Sequence, residues 1–185
     1  MFTWSASSLV TWGQMGIIEP VDFVLDEYGA DYFLSSKQLA SYQFADHLWG
    51  VPIVTFPIAF WYRADWFKDA GLEVPTTWDE LEAVCDKLLD AGIQPIASNG
   101  ADGWGITRWI MLYANRLAGA ECHQLASRNL EGWSFRDDVF QQAAAKCQEM
   151  YQKGYMGKAY NATSSTEQYA AFCNGQAAMI YTGSW

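Results

Sequence analysis

The sequence is short of the residues that much enzymatic and metal chemistry draws on. Its 185 residues include two histidines, His47 and His123, far apart in the chain. A Ser-His-Asp arrangement or a histidine-rich metal centre has little to work with. The four cysteines (Cys85, Cys122, Cys147 and Cys173) form no C-x-x-C pair, which disfavours a zinc site or a thioredoxin-type dithiol. His123 follows Cys122, but with no second Cys or His nearby a structural role outweighs ligation. No G-x-S-x-G elbow is present. The stretch Asn99–Gly105 is glycine-rich, yet it has neither the G-x-G-x-x-G order nor the G-K-[ST] ending of a phosphate loop. Positive charge is scarce as well. Against 21 Asp and Glu stand 11 Lys and Arg, a formal net charge of −10, which makes a poor general binder of nucleic acid or anionic membrane. Long apolar runs are missing: Ile53–Trp61 is too short to span a bilayer and contains Pro57. The opening MFTWSASSLV has no basic segment and no long apolar segment, so it does not read as an intact signal peptide.

What is present supports a folded α/β protein. Hydrophobic residues make up 51% and charged residues 17%, enough apolar material for a core, and the length suits one domain or two small ones. Helices are expected over Ser8–Met15, about Val21–Tyr28 and Asp65–Ala70, each followed by glycine; residues 31–49 read as mixed helix and loop. Thr77-x-x-Glu80 is a capping box, and the helix behind it puts Leu81, Val84, Cys85 and Leu88 on one face. Ile106, Trp109, Ile110, Tyr113 and Leu117 form a second helical stripe, and Phe140, Ala143, Ala144, Cys147 and Tyr151 a third, capped by Asp137 or Asp138. Residues 120–135 read as irregular. Ser165 or Thr166 is expected to cap a helix carrying Tyr169, Phe172 and Cys173. Strands are expected over Val51–Val54, Phe60–Arg63, Gln94–Ser98 and Ala177–Tyr181, with Thr55–Pro57 as a crossing segment. Strands alternating with helices argue for α/β layers. Cys85 and Cys147 fall on apolar helix faces and read as buried free thiols, although four cysteines allow three pairings that spacing does not decide. Asp79, Glu80, Asp137 and Asp138 are explained by the first turns of helices, where negative charge is favoured.

Aromatic residues are abundant: 10 Trp, 10 Tyr and 10 Phe. Most suit a core. Three tryptophans do not. Trp4 precedes small polar residues, Trp104 sits in a Gly/Asp loop, and Trp185 follows Gly183-Ser184 behind a strand. A loop Trp at a strand end can offer a flat apolar face to a ligand. Sugars, with an apolar C–H face and a rim of hydroxyls, suit such a platform flanked by Asp, Asn and Ser.

The segment WGVPIVTFPIAFWYRADWFKDAGLEVPTTWDELEAVCDKLLDAGIQPIA, residues 49–97, resembles the extracellular solute-binding proteins of ABC sugar importers. It carries, in order, a G-V-P strand, an aromatic-Tyr strand, a D-x-F-x-x-A-G-L helix, a P-x-T-W-D-E-L helix and a G-x-x-P-I-A strand. FRDDVFQQAAAKCQEMYQKGYMG, FCNGQAAMIYTGSW and TWSASSLVTWGQMGIIEPVDFVLDEY resemble further segments of that family. The resemblance implies a type II periplasmic-binding-protein-like clamshell of two α/β lobes, here partial: most of one lobe plus part of the other. Residues 1–57 would be the end of the first segment of the N-terminal lobe and residues 58–185 most of the C-terminal lobe, so the chain is expected to be an internal fragment. By motif, Trp4 and Ser5 would meet sugar at the end of a first-lobe strand, and Asp102 and Trp104 would do so from the loop after the P-I-A strand. Trp185 matches the family's stacking G-x-W tryptophan. Phe56 holds a hinge position where some relatives have a polar residue. The family implies no catalytic residue, no metal and no cofactor. Its ligand would be a neutral mono- or oligosaccharide and its partners the membrane permease subunits of an ABC importer. The location would be periplasmic or extracellular, with lipoprotein anchoring one form of it. Two other readings stay open. One is a polyol or glycerol phosphate on the same scaffold, for which only Arg108 stands near the matched loops. The other is a carbohydrate-active enzyme, which needs two carboxylates facing across the sugar.

Overall fold

The computed structural model describes residues 6–29, 39–52, 54, 56–127 and 129–185. They divide into two compact units, Met1–Pro57 and Ile58–Trp185. In the first, α1 (Ala6–Gln14) and α2 (Phe23–Tyr28) precede a two-stranded hairpin of β1 (Gln43–Phe44) and β2 (His47–Leu48). Asp22 ties helix to hairpin: its carboxylate accepts from the Leu48 amide and meets His47 Nδ1, both at 2.7 Å. The hairpin lies where the sequence suggests mixed helix and loop. Its turn residues Ala45 and Asp46 both take positive φ, 50° and 63°, as a two-residue connection between twisted strands requires. Ala-Asp carries none of the usual Asn-Gly or Asp-Gly signal, so the turn is silent in the sequence. The strand expected over Val51–Val54 does not form at Val51, Pro52 or Val54. Pro52 has no N–H to give a ladder.

The second unit is built on a three-stranded sheet in the order β3-β5-β4. β3 (Ile58–Tyr62) runs antiparallel to β5 (Met179–Gly183), with Ile58 opposite Gly183. β4 (Ile96–Ala97) runs parallel to β5, with Ile96 opposite Met179. Alternation along β5 sorts its side chains to two faces. Met179 and Tyr181 join the main core formed with α4 (Trp78–Asp90), α5 (Trp104–Ala118) and α7 (Asp138–Gln152). Ile180 packs with Ala97 against Tyr169 and Phe172 of α8 (Ser165–Cys173). Trp109 is 2% exposed and contacts Phe60 and Tyr181 at ring distances of 5.4 and 5.0 Å. The short α3 (Ala64–Asp69) buries Phe67.

The α4 capping box forms as expected, with Thr77 and Glu80 exchanging both bonds. Other details differ. Leu117, the last residue of the predicted α5 stripe, is exposed. Each i,i+4 step overshoots a turn by about 40°, so Trp109 and Tyr113 face the core and Leu117 has rotated out. On α7 the buried residues are Phe140, Ala143, Cys147 and Met150, while Ala144 and Tyr151 are exposed on the flank. Asp137 is the α7 N-cap residue, but its carboxylate accepts from Ser134 N–H rather than from the helix. Six residues of the predicted irregular stretch form α6 (Cys122–Ser127), too short to show a periodicity. Ser164, not Ser165 or Thr166, caps α8, because Glu167 stands three residues on and closes a second capping box. Cys173 at the end of α8 is exposed. β5 runs two residues later than predicted and is buried throughout.

Candidate functional site

Because β4 and β5 are parallel, their C-terminal ends open at one edge of the sheet. Ligands of α/β sheets bind outside that edge. Loop 98–103 leaves β4 there, α5 begins there with Trp104, and Gly183-Ser184-Trp185 leaves β5 there. The edge therefore gathers three residues singled out from the sequence: Asp102, Trp104 and Trp185.

Asp102 is held by its surroundings. Its carboxylate accepts from Asn99 Nδ2 at 2.6 Å, from the Ser165 amide at 3.2 Å, and from the Ser165 hydroxyl. The Ser165 hydroxyl bond, with help from the Ser165 amide and Asn99, holds the Asp102 carboxyl below its ordinary range despite some desolvation. Asn99 is buried and also donates to Ser165 Oγ at 3.0 Å. Gly105 is what allows this fit. A Cβ there would collide with the Asn99 carbonyl and stand 2.5 Å from Asn99 Oδ1. The amides of Gly100 and Ala101 both donate to Thr163 O, which pins the rest of the loop.

Trp104 is 65% exposed at the first position of α5. Trp185 is 56% exposed, yet its indole is fixed. Nε1–H donates to Tyr169 Oη at 2.7 Å, the Tyr169 and Thr182 hydroxyls share a bond at 2.8 Å, and Arg108 Nη1 donates to Thr182 Oγ1 at 3.2 Å. The Arg108 guanidinium carbon lies 5.8 Å from the centre of the Trp185 ring. Arg108 from α5 and Tyr169 from α8 thus converge on Thr182 of β5, each one helical turn after another residue of the edge, Trp104 and Ser165. Chemically the edge offers two exposed indoles, a charged carboxylate and several hydroxyls. That set stacks on an apolar ring face and hydrogen-bonds a polar rim.

Phe56 belongs to the first unit and is 46% exposed. Trp4 and Ser5 lie outside the described residues. Tyr169 and Thr182 are not among the candidates read from the sequence, and Arg108 figures there only as the one basic residue near the matched loops. Arg108 had one available signal, its place one helical turn after Trp104; Tyr169 read only as a helix-face residue. Among the described residues no group of three or more His, Cys, Asp or Glu could hold a metal ion, and no helix is long and apolar enough to cross a membrane.

The chain belongs to the bacterial extracellular solute-binding proteins, whose family model matches residues 1–185. It is 31% identical over 144 residues to the alpha-glucosides-binding periplasmic protein AglE of Rhizobium meliloti, covering 66% of this chain and 31% of that protein. It is 24% identical over 155 residues to the multiple sugar-binding protein of Streptococcus mutans, covering 82% of this chain and 37% of that one. The chain thus spans roughly a third of the length of these curated relatives. Among solved structures, a chitin oligosaccharide binding protein superimposes with a TM-score of 0.82 at 25% identity, covering 96% of this chain and 44% of the other. RafE in complex with raffinose gives 0.69 at 22%, covering 97% and 46%, a likeness of fold. The family and these relatives are named as binding proteins.

Proposed function

We propose that this chain carries the ligand-contacting edge of a sugar receptor that binds without catalysis and delivers its ligand to the membrane permease of an ABC importer. One observation carries the reading: Trp104 and Trp185 are exposed, and the Asp102 carboxylate is held charged, on segments that leave the C-terminal ends of β4 and β5. In this reading Ile58–Trp185 is most of the C-terminal lobe and Met1–Pro57 part of the N-terminal lobe, with Phe56 at the hinge and Trp4 and Ser5 as first-lobe contacts. The site would take a neutral mono- or oligosaccharide, with the indoles on its C–H faces and Asp102 on a hydroxyl. The sugar-binding names of AglE and the Streptococcus mutans relative support that ligand class. The family's extracellular description supports work outside the cytoplasmic membrane. The test is calorimetric titration with raffinose, a chitin oligosaccharide, an α-glucoside and glycerol phosphate, followed by product analysis. Saturable binding of a neutral sugar without turnover is expected. Preference for glycerol phosphate would replace the ligand class, and release of shortened sugar would replace the receptor reading with an enzyme.

A further inference from the structure

Trp185 leaves the sheet at the end of a strand and is more than half exposed, the situation in which a side chain samples several rotamers. Here three contacts act against that freedom. Tyr169 takes the indole N–H at 2.7 Å. Gly183, two residues before, lies under the ring: a Cβ at that position would occupy the space of the benzo edge. Arg108 sets its guanidinium 5.8 Å from the ring centre. Arg108 and Tyr169 are in turn joined through one atom, the buried Thr182 Oγ1, at 3.2 and 2.8 Å. α5 and α8 therefore each reach the same indole and are tied to one another through the same β5 hydroxyl.

We infer that Tyr169, Arg108 and Thr182 are positioning residues that hold Trp185 in one orientation before ligand arrives. The inference rests on the sugar-platform reading of Trp185 only for its effect on affinity. Holding the indole in advance spares the entropy of fixing it on binding, so loss of the clamp weakens affinity without removing a ligand contact.

The test uses the 185-residue chain with ¹⁵N-labelled indoles, the Trp185 resonance being assigned by its disappearance in Trp185→Phe. In Tyr169→Phe, which deletes only the hydroxyl, the Trp185 Nε1–H signal is expected to move to the position of a water-bonded indole and to exchange faster. Thr182→Val should reproduce this, and Thr182→Ser, which restores the hydroxyl, should not. Gly183→Ala should displace the indole with the same signature. Melting curves of each variant separate these local changes from loss of fold. An unmoved Trp185 resonance in folded Tyr169→Phe, or equal effects of Thr182→Ser and Thr182→Val, overturns the inference. In titrations of the full-length receptor with raffinose and a chitin oligosaccharide, Tyr169→Phe should bind roughly two- to tenfold more weakly than wild type. If the resonances shift as expected but neither wild type nor variant binds any sugar, the positioning role stands and the sugar reading falls. If wild type binds and Tyr169→Phe binds equally well despite a shifted resonance, the claimed effect on affinity is overturned.

Discussion

At the scale of single residues, the two exposed tryptophans and the aspartate differ in what their removal should do. Covering one face of the Trp185 indole with a sugar ring removes on the order of 100 Å² of apolar surface from water, roughly 2 kcal/mol at about 25 cal/mol per Å². Trp185→Ala should therefore weaken binding about thirtyfold. Because the side chain is 56% exposed, the melting temperature should change little. The buried Trp109 gives the contrast: its truncation should cost about 3–5 kcal/mol of stability. Titration and melting of both variants check this, and unchanged affinity in Trp185→Ala would remove the platform. Asp102 is tested by pH. Its carboxyl lies below the ordinary 3.8 because Ser165 and Asn99 bond the charged form. The stabilisation is thus fully present above that ordinary value and is lost as pH falls through the lowered one. Asp102→Ala should be less stable than wild type at neutral pH, with the gap closing in acid; a gap that does not depend on pH would count against the carboxylate. Trp104 and Trp185 were legible as candidates because each stands in a polar or Gly-rich stretch where a core explanation fails, and Asp102 because the family resemblance puts it in the loop after the P-I-A strand. Tyr169 and Thr182 were not, because their roles depend on pairing between distant elements: 16 residues separate Tyr169 from the indole it holds.

At the scale of elements, legibility followed the strength of the local signal. α4 was readable because Thr77 and Glu80 close a capping box and four apolar residues repeat at helical spacing behind them. The β1–β2 hairpin was not, since its turn is made by two non-glycine residues with positive φ and β2 is tied to Asp22 from more than twenty residues away. The helix faces also yield a prediction about thiols. Cys85 on α4 and Cys147 on α7 are 0% and 1% exposed, and burial pushes both up to about 12. Cys122 is buried and raised as well, whereas Cys173 is exposed. Since the thiolate is the reactive form, a water-soluble thiol reagent should label Cys173 alone in the native protein and all four cysteines after unfolding. A thiol held above its ordinary 9.0 stabilises the fold in full below that value and loses the contribution as pH rises toward about 12. Alkaline melting should thus fall less steeply in Cys85→Ser than in wild type, after allowing for the constant cost of the substitution. Native labelling of Cys85 or Cys147 would show that the α4–α7 packing opens.

At the scale of the whole molecule, the α/β class was legible from alternating strand and helix signals, but the strand order was not, because β5 enters between β3 and β4 from the far end of the chain. That order leaves β3 at one edge of the sheet, with no partner strand on its outer side among the described residues. Beside it lies a cavity of about 680 Å³ lined by Ile58, Phe60, Phe67, Val74 and Trp78. Ile58, Tyr62 and Val74 are 45%, 39% and 51% exposed around it. A strand edge without a partner strand among the described residues, beside a largely apolar hollow, is a template for pairing with another chain. The net charge of −10 opposes close approach at long range, but it is screened beyond about 10 Å at 0.1 M salt, so it weakens association without blocking the edge. The 185-residue chain should therefore associate as its concentration rises, and more so in added salt. Size-exclusion chromatography with light scattering measures this directly, with binding of a hydrophobic dye reporting the exposed hollow. Tyr62→Lys places a charge on the edge and should return the protein to monomer at the same concentration. A chain that stays monomeric and binds no dye across the concentration range would mean that the β3 edge is already protected.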